Sequence, residues 1–290
     1  ANGNKAILAL IRGALPELRP SERRVARLVL EDPEAVAHLS VAEVARRSDT
    51  SGTSVVRFTH AMGFDHYRDL RIAIANDAMR ETYDAAGAPF AAGDIGRNDS
   101  LAQIVRKVSY SETRSIADTA LVLDTDKLAE AVRLVSEAPR VDIFGVGASS
   151  IVGLDLQQKL VRVGKPALAW ADAHGALTAA ATLGEGCVAI GVSHSGATAG
   201  PVEFLETARE RGAKTIAVTN HGASAVARAA DVVLTTAARE TTFRSGALGS
   251  RIAQLLVLDC LFVGVARSDY DRSMTALRDT YGAVRRLGAG

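Results

Sequence analysis

The sequence predicts an α/β chain in two parts: an all-α region over residues 1–80, then a doubly wound, five-stranded parallel sheet over residues 100–290. Three observations predict it. Residues 1–80 place their apolar positions at helical spacing. Residues 100–290 alternate short β-branched runs with longer helical patterns, which is how βαβ units read. Between the two, residues 81–99 hold an Ala/Gly-rich stretch with Pro89 and no helical apolar stripe, which reads as a linker. A chain of 290 residues with 48% hydrophobic content suits two cores, at roughly 100–200 residues per domain.

In the first region, Ile7, Leu8, Ile11 and Leu15 share one helical face. Pro20 opens a second helix, where its missing N–H has no partner to lose, and Val25, Leu28 and Val29 share its face. Asp32-Pro33 ends that helix. Ser40-Val41-Ala42-Glu43 is a capping box: the Ser40 hydroxyl can accept the Glu43 N–H, and the Glu43 carboxylate can accept the Ser40 N–H. It opens a short helix, Val41–Arg47, with Val41, Val44 and Ala45 inward. Residues 48–51 make a tight turn. A second helix follows over 52–62, with Ser51 as its N-cap and Gly63 as its stop. Short helix, tight turn, second helix is the helix-turn-helix plan.

The second helix of that pair has two faces. Val55, Phe58 and Met62 pack inward, while Ser51, Thr53, Ser54, Arg57 and His60 supply donors suited to phosphates and base edges. Arg46, Arg47, Arg68 and Arg71 can add backbone contacts. A plain helical bundle with a solvated polar face has the same pattern, and the spacing alone does not separate the two.

Charge does not decide it. The formal net charge is +1, and in residues 1–80 one Lys and eleven Arg stand against ten acids, so any nucleic-acid surface is local. Cys187 and Cys260 form no spaced pair; this argues against a metal cluster or disulfide framework and for buried, reduced thiols of a cytoplasmic protein. No run reaches the roughly 18 uninterrupted apolar residues of a membrane span, and the N-terminus shows no signal-peptide pattern, so no membrane partner is expected.

In the second region the strands are expected at 141–144, 167–170, 187–192, 215–219 and 232–234, with helices such as 149–163, 199–211 and 224–229 between them. Two helices precede the sheet, near 101–120 and 126–137, and two follow it, near 250–266 and 270–287. Two loops sit where a strand runs into a helix: Gly145-Val146-Gly147-Ala148-Ser149-Ser150 and Ser193-His194-Ser195-Gly196-Ala197-Thr198. Ligands of open parallel sheets bind at such strand ends, where helix N-termini present unpaired N–H groups. Hydroxyls from Ser193, Ser195 and Thr198 can converge there on one anion, without a lysine.

Other chemistries fit these loops less well. A dinucleotide fingerprint needs a third glycine, where this chain has Ser150, although Asp172 stands near the expected acid. There is no Gly-Lys-Ser/Thr of a phosphate-binding P-loop. The Ser-His-Ser-Gly run lacks the Gly-x-Ser-x-Gly spacing of a hydrolase elbow. His174, His221, Glu240 and Arg244 can reach a ligand or simply sit on the surface.

Two resemblances sharpen the expectation. Residues 15–80 resemble the N-terminal domain of RpiR-type regulators through Pro20-Ser21-Glu22-Arg23, Asp32-Pro33-Glu34, Ser40 to Ala45, Ser51, Ser54 to Phe58, and Gly63-Phe64 with Tyr67. Arg19 stands where the family often has Thr, and Ser48-Asp49 replaces the usual small or Gly residue in the turn. Residues 105–265 resemble the SIS phosphosugar-binding domain through Gly145 to Ser149, Ser193 to Thr198, Thr219-Asn220, and Ser245-Gly246 with Ser250 to Gln254.

Together the resemblances imply a bacterial transcriptional regulator that binds operator DNA and senses a sugar phosphate, including aminosugar 6-phosphates. They imply a phosphate cradle of Ser193, the His194 backbone, Ser195 and Thr198, with Ser149 from the first loop. Glu240 is a further candidate ligand residue by its place in the loop before the last core helix, not by the resemblance. The resemblances imply no cofactor, no catalytic residue, no metal and a homodimer or homotetramer. The alternative is a sugar-phosphate isomerase or lyase of the same fold, for which Glu203, Glu240, His174 and His221 are the candidate bases.

Overall fold

The structure, a computed structural model, describes residues 7–86, 95–238 and 247–285. It divides into two compact units. The first holds the described residues up to Val122 together with Ala237 and Ala238; the second holds Leu123–Thr236 and the described residues from Ala247 on.

The first unit is all-helical: α1 (Ile7–Ala14), α2 (Pro20–Glu31), α3 (Pro33–Val36), α4 (Val41–Arg47), α5 (Gly52–Ala61), α6 (Tyr67–Ala86) and α7 (Leu101–Val122). Its core joins Ile7, Leu8 and Ile11 of α1 to Val25 and Val29 of α2, Val44 of α4, Val55 and Phe58 of α5, and Leu70 and Ile74 of α6. These are the periodic apolar positions of the sequence, each helix burying one stripe. Asp77 of α6 accepts the Leu8 N–H at 2.9 Å, satisfying a donor in the first turn of α1.

The linker expectation needs two corrections. Helix α6 runs on to Ala86, into the stretch expected to be linker. Residues 87–94 lie outside the described residues; beyond them, Ser100 and Gln103 form a reciprocal cap for α7. Helix α7 also groups with the first unit, although the sequence pattern places it with the sheet. Thr119 accepts the Ala237 N–H at 3.0 Å, and Ala9 and Ala237 pack with Leu121 and Val122. Its buried face is polar, with Arg114, Ser115, Asp118 and Thr119, so hydrophobic periodicity could not show which partner it has.

The second unit contains α8 (Thr125–Glu137), β1 (Val141–Gly145), α9 (Ala148–Arg162), β2 (Ala167–Trp170), α10 (Ala173–Ala180), β3 (Val188–Val192) and α11 (Ala199–Glu210). It continues with β4 (Lys214–Thr219), α12 (Ala225–Arg228), β5 (Val232–Thr235), α13 (Leu248–Ser268) and α14 (Tyr270–Arg285). All five expected strands form, in the parallel order β2-β1-β3-β4-β5.

Alternate residues of each inner strand enter opposite cores, which is what makes the sheet doubly wound. Val141, Ile143, Ile190 and Ile216 pack with Val135 of α8, Leu156 and Leu160 of α9, and Val257 and Leu261 of α13. Phe144, Ala189 and Ala217 face the other way, onto Ala176 of α10, Phe204 and Leu205 of α11, and Val226 of α12. Helix α13 is long and apolar enough to cross a membrane, but its buried Val257, Leu258, Leu261 and Val265 belong to the first of these cores. Cys187 and Cys260 are half-buried rather than fully buried, and neither is in a disulfide.

Among the described residues, one buried carboxylate sits inside the sheet. Asp142 is fully buried on β1, and its carboxylate accepts Arg140 Nε at 2.6 Å, Arg140 Nη2 at 2.7 Å and Trp170 Nε1 at 2.8 Å. Three donors offset the desolvation of the charge. The Trp170 bond also fastens the edge strand β2 to β1.

Candidate functional site

The helix-turn-helix is built as the sequence predicts. Ser40 N–H donates to the Glu43 carboxylate at 2.8 Å, and Glu43 N–H donates to the Ser40 hydroxyl at 3.3 Å. The Ser40 hydroxyl also donates to the Glu43 carboxylate at 2.6 Å, and this bond, followed by that from the Ser40 N–H, holds the Glu43 carboxyl below its ordinary range. Helix α4 ends with Asp49 in the left-handed region at φ 50°, Thr50 N–H on the Ala45 carbonyl and Asp49 N–H on the Arg46 carbonyl. That is a Schellman ending with Asp in the place where glycine is usual, a conformation short polar residues tolerate. The Ser48-Asp49 departure from the family pattern therefore leaves the turn closed.

Helix α5 starts on Ser51, whose hydroxyl accepts the Ser54 N–H at 3.3 Å. It ends on Gly63 at φ 81°, with Phe64 N–H on the Thr59 carbonyl. The Tyr67 hydroxyl donates to the Leu39 carbonyl at 3.2 Å, tying the start of α6 to the entry of α4; burial raises its pKa.

Ser51, Thr53, Arg57 and His60 are exposed, along with Arg46, Arg47 and Arg68. Ser54 is a correction: it is 4% exposed and its hydroxyl bonds to that of Ser51 at 3.1 Å, so it serves the cap rather than an outer surface. Val56, 41% exposed beside Arg57, is an outward apolar residue that the helical pattern does not single out. His60 Nε2 lies 3.3 Å from the Asp65 carbonyl. The result is a short helix presenting hydroxyl, guanidinium, imidazole and apolar groups on one rigid support.

The second candidate site lies where the strand order reverses. β1 and β3 are neighbours, with Gly145 paired to Val192, so the two Gly/Ser loops leave the sheet side by side. This is the switch-point crevice of open α/β sheets. Gly147, at φ 64°, leads into α9, and Thr198 leads into α11; neither helix has a side-chain cap at its N-terminus. By contrast, α8 and α10 are capped by Asp124 and Asp172. Two helix N-termini at one crevice thus keep N–H groups and positive dipole ends available for an anion.

The predicted cradle residues divide into two groups. Ser195 and Thr198 are exposed. Ser193 is 3% exposed: its hydroxyl accepts the Gly196 N–H at 3.1 Å and lies 3.4 Å from Thr198 Oγ1. Ser149 is also buried, donating to Gln254 Oε1 at 3.2 Å. Both shape the loops from behind. Gly196, at φ 65°, packs so closely that a Cβ there would lie 2.0 Å from Ser224 Oγ. Its carbonyl accepts the Val226 N–H at 2.9 Å.

His194 is half-buried, its ring edge-on to His221 with centroids 5.9 Å apart. Its carbonyl accepts the Asn220 N–H at 3.2 Å. Ser224, Thr219 and Gln254 are the supporting residues the loop motif could not reveal, since all come from later elements. His174 is exposed on α10 and Glu203 on α11. Glu240 and Arg244 lie outside the described residues. No group of three or more His, Cys, Asp or Glu able to hold a metal occurs among the described residues.

Comparison with known proteins places both halves. Residues 5–81 match the model of the helix-turn-helix domain of the rpiR family, and residues 134–264 match the SIS domain. The chain is 38% identical over 274 residues to an uncharacterized HTH-type transcriptional regulator of Caldanaerobacter subterraneus, covering 94% of this chain and 95% of that one. The chain belongs to the RpiR family of transcriptional regulators.

A second relative, an uncharacterized HTH-type transcriptional regulator of Bacillus subtilis, is 32% identical over 97% of both chains. Among solved structures, the Vibrio vulnificus NanR protein complexed with ManNAc-6P aligns with a TM-score of 0.61 at 28% identity, over 97% of this regulator and 99% of that chain. The sugar isomerase domain of an RpiR transcription factor from Sphaerobacter thermophilus aligns with a TM-score of 0.57 at 26% identity, over 61% of this regulator and 98% of that chain.

Proposed function

We propose that this regulator binds operator DNA through α4 and α5 and senses a sugar phosphate, of the aminosugar 6-phosphate class, in the crevice between the β1 and β3 loops. The observation that carries the second half is the pair of uncapped helix N-termini, α9 and α11, behind exposed Ser195 and Thr198. A dianionic phosphate satisfies those N–H groups and accepts from both hydroxyls. The complex of NanR with ManNAc-6P supports this choice of ligand.

On the DNA side, Arg57, Thr53 and His60 face bases and phosphates, and Val56 offers methyl groups to thymine. The regulator acts as a homodimer or homotetramer, because two-fold operators are read by paired helices about 34–36 Å apart or a multiple of it. Helix α7 groups in the same unit as α4 and α5 and runs in sequence into the second unit at Leu123, which makes it the natural carrier of the ligand signal. The chain does not turn its ligand over.

The test is calorimetry of the full chain with ManNAc-6P and a panel of other sugar phosphates. Ser195→Ala is expected to weaken binding by about 1.5–3 kcal/mol, the scale of a hydrogen bond to a charged group. Equal affinity in wild type and variant places the phosphate elsewhere. Following the same sugar phosphate by NMR for hours tests the enzyme alternative, and steady conversion moves the chain into that class.

A further inference from the structure

A second polar pocket lies at the other end of the sheet. It is lined by Ser136, Lys165, Ser268, Asp269, Arg272 and Ser273, with an empty volume of about 360 Å³ that includes its open mouth. Ser136 lies in the last turn of α8 ahead of β1, and Lys165 stands ahead of β2, so this pocket is at the N-terminal ends of the strands. The crevice of the proposed sensor site is at their C-terminal ends.

Its chemistry is cationic. Lys165 Nζ donates to the Ser136 carbonyl at 2.6 Å and the Ala138 carbonyl at 3.1 Å, which leaves one of its three N–H bonds. Among the described residues neither Lys165 nor Arg272 has a carboxylate within ion-pair distance. The ammonium is partly desolvated, and first that burial and then the charge of Arg272 lower its pKa, so two like charges face one space. The one carboxylate in the lining, Asp269, accepts the Arg272 N–H at 3.4 Å at the start of α14. Ser273 adds a hydroxyl to the same wall: the residue is 6% exposed and lines the pocket, on the first turn of α14 beside Arg272. A hydroxyl beside two cations is a donor set suited to an oxyanion.

We propose that this pocket is an anion site for a compact oxyanion of the phosphate class, held by the Lys165 ammonium, the Arg272 guanidinium and the Ser273 hydroxyl beneath the N-terminus of α14. The oxyanion is either inorganic phosphate or the terminal phosphate of a small metabolite; both present the same three acceptor oxygens. The proposal stands apart from the sensor site, since it shares no residue with it.

The experiment is an amide NMR titration of the full chain, with inorganic phosphate in one arm and glucose 6-phosphate in the other, at ionic strength held constant with chloride. The amides of Gly164, Lys165 and residues 270–273 report this pocket, and those of Gly147 and Gly196 report the crevice. Saturable shifts of the first set are expected with inorganic phosphate. A matching response to the sugar phosphate identifies the site as open to monoesters, and no response to it identifies the free ion as the occupant. Arg272→Gln, at an exposed position, is expected to weaken the first set's response about tenfold and leave the second unchanged. Ser273→Ala is the milder second variant, with a loss of a few-fold. Shifts confined to Gly147 and Gly196, shifts reproduced by chloride, or a response unaltered in both variants overturn the proposal.

Discussion

The guanidinium of Arg24, on α2, donates to the carbonyl of Asp49, the left-handed residue of the turn between α4 and α5, at 2.9 Å. Its Nε also approaches the Ser48 carbonyl at 3.3 Å. The turn is thus held from outside by a helix that contributes nothing to the helix-turn-helix motif itself. Arg24→Ala is expected to cost about 1 kcal/mol of stability, the low end for charged hydrogen bonds because the group is solvated. Operator affinity is expected to fall with it. Urea unfolding and operator titration check both, and unchanged values for the two show that the turn holds itself.

Two neighbours on α5 separate surface from support. Arg57→Ala is expected to weaken operator binding by about 1–3 kcal/mol at fixed salt while leaving the fold intact. Ser54→Ala is expected to behave the opposite way, costing about 1 kcal/mol of stability through its lost bond to Ser51, with base preference preserved. Parallel operator titrations and circular dichroism melts distinguish the two, and a change of sequence preference in Ser54→Ala contradicts its buried placement.

The two crevice glycines with positive φ carry different constraints. Gly147 and Gly196 both have positive φ, so either substitution by Ala brings roughly 1–2 kcal/mol of backbone strain. Only at Gly196 would the new Cβ collide, at 2.0 Å from Ser224 Oγ and 2.4 Å from Ser224 Cβ. Overpacking there adds roughly 1–3 kcal/mol. Gly196→Ala is therefore expected to be the more destabilising of the pair, and Ser224→Gly is expected to recover part of the difference. Denaturant midpoints of the three variants measure it, and equal costs at the two glycines refute the collision.

The capping box sets an acid limit. The Glu43 carboxyl is lowered in the folded chain, so its contribution is full above the ordinary carboxylate value and is lost as pH falls through the folded, lower one. The stability difference between wild type and Glu43→Ala is expected to be constant near neutrality and to shrink in acid. Stability measured against pH for both chains checks the sign, and a difference that grows on acidification reverses it.

Much of the fold and the outline of both candidate sites were legible in the sequence. The capping box at Ser40, the cap at Ser51, the stop at Gly63 and the five strands are set by local chemistry: a side chain bonding its own neighbours, a residue without a Cβ, or β-branched residues buried on both sides. Both Gly/Ser loops were legible for the same reason, as turns between a strand and a helix. What local chemistry could not show is which atoms are spent inside the protein. Ser193 and Ser195 are alike in sequence, yet one closes the loop from within and the other is exposed, because Gly196 packs against Ser224 from α12's N-terminus. Helix α10 was not read from the sequence, since its buried side chains include Ala176, Ala179 and Ala180, too small to make a strong stripe. Helix α7 went with the first unit because its buried face is polar, and a polar face finds its partner by hydrogen bonding rather than by periodicity. The sequence alone determined the five strands, the helix-turn-helix and the chemistry of the loops. Only the tertiary structure decided the division between supporting and exposed groups, because hydrogen-bond partners of the kind that joins Ser149 to Gln254 are 105 residues apart and meet only through packing.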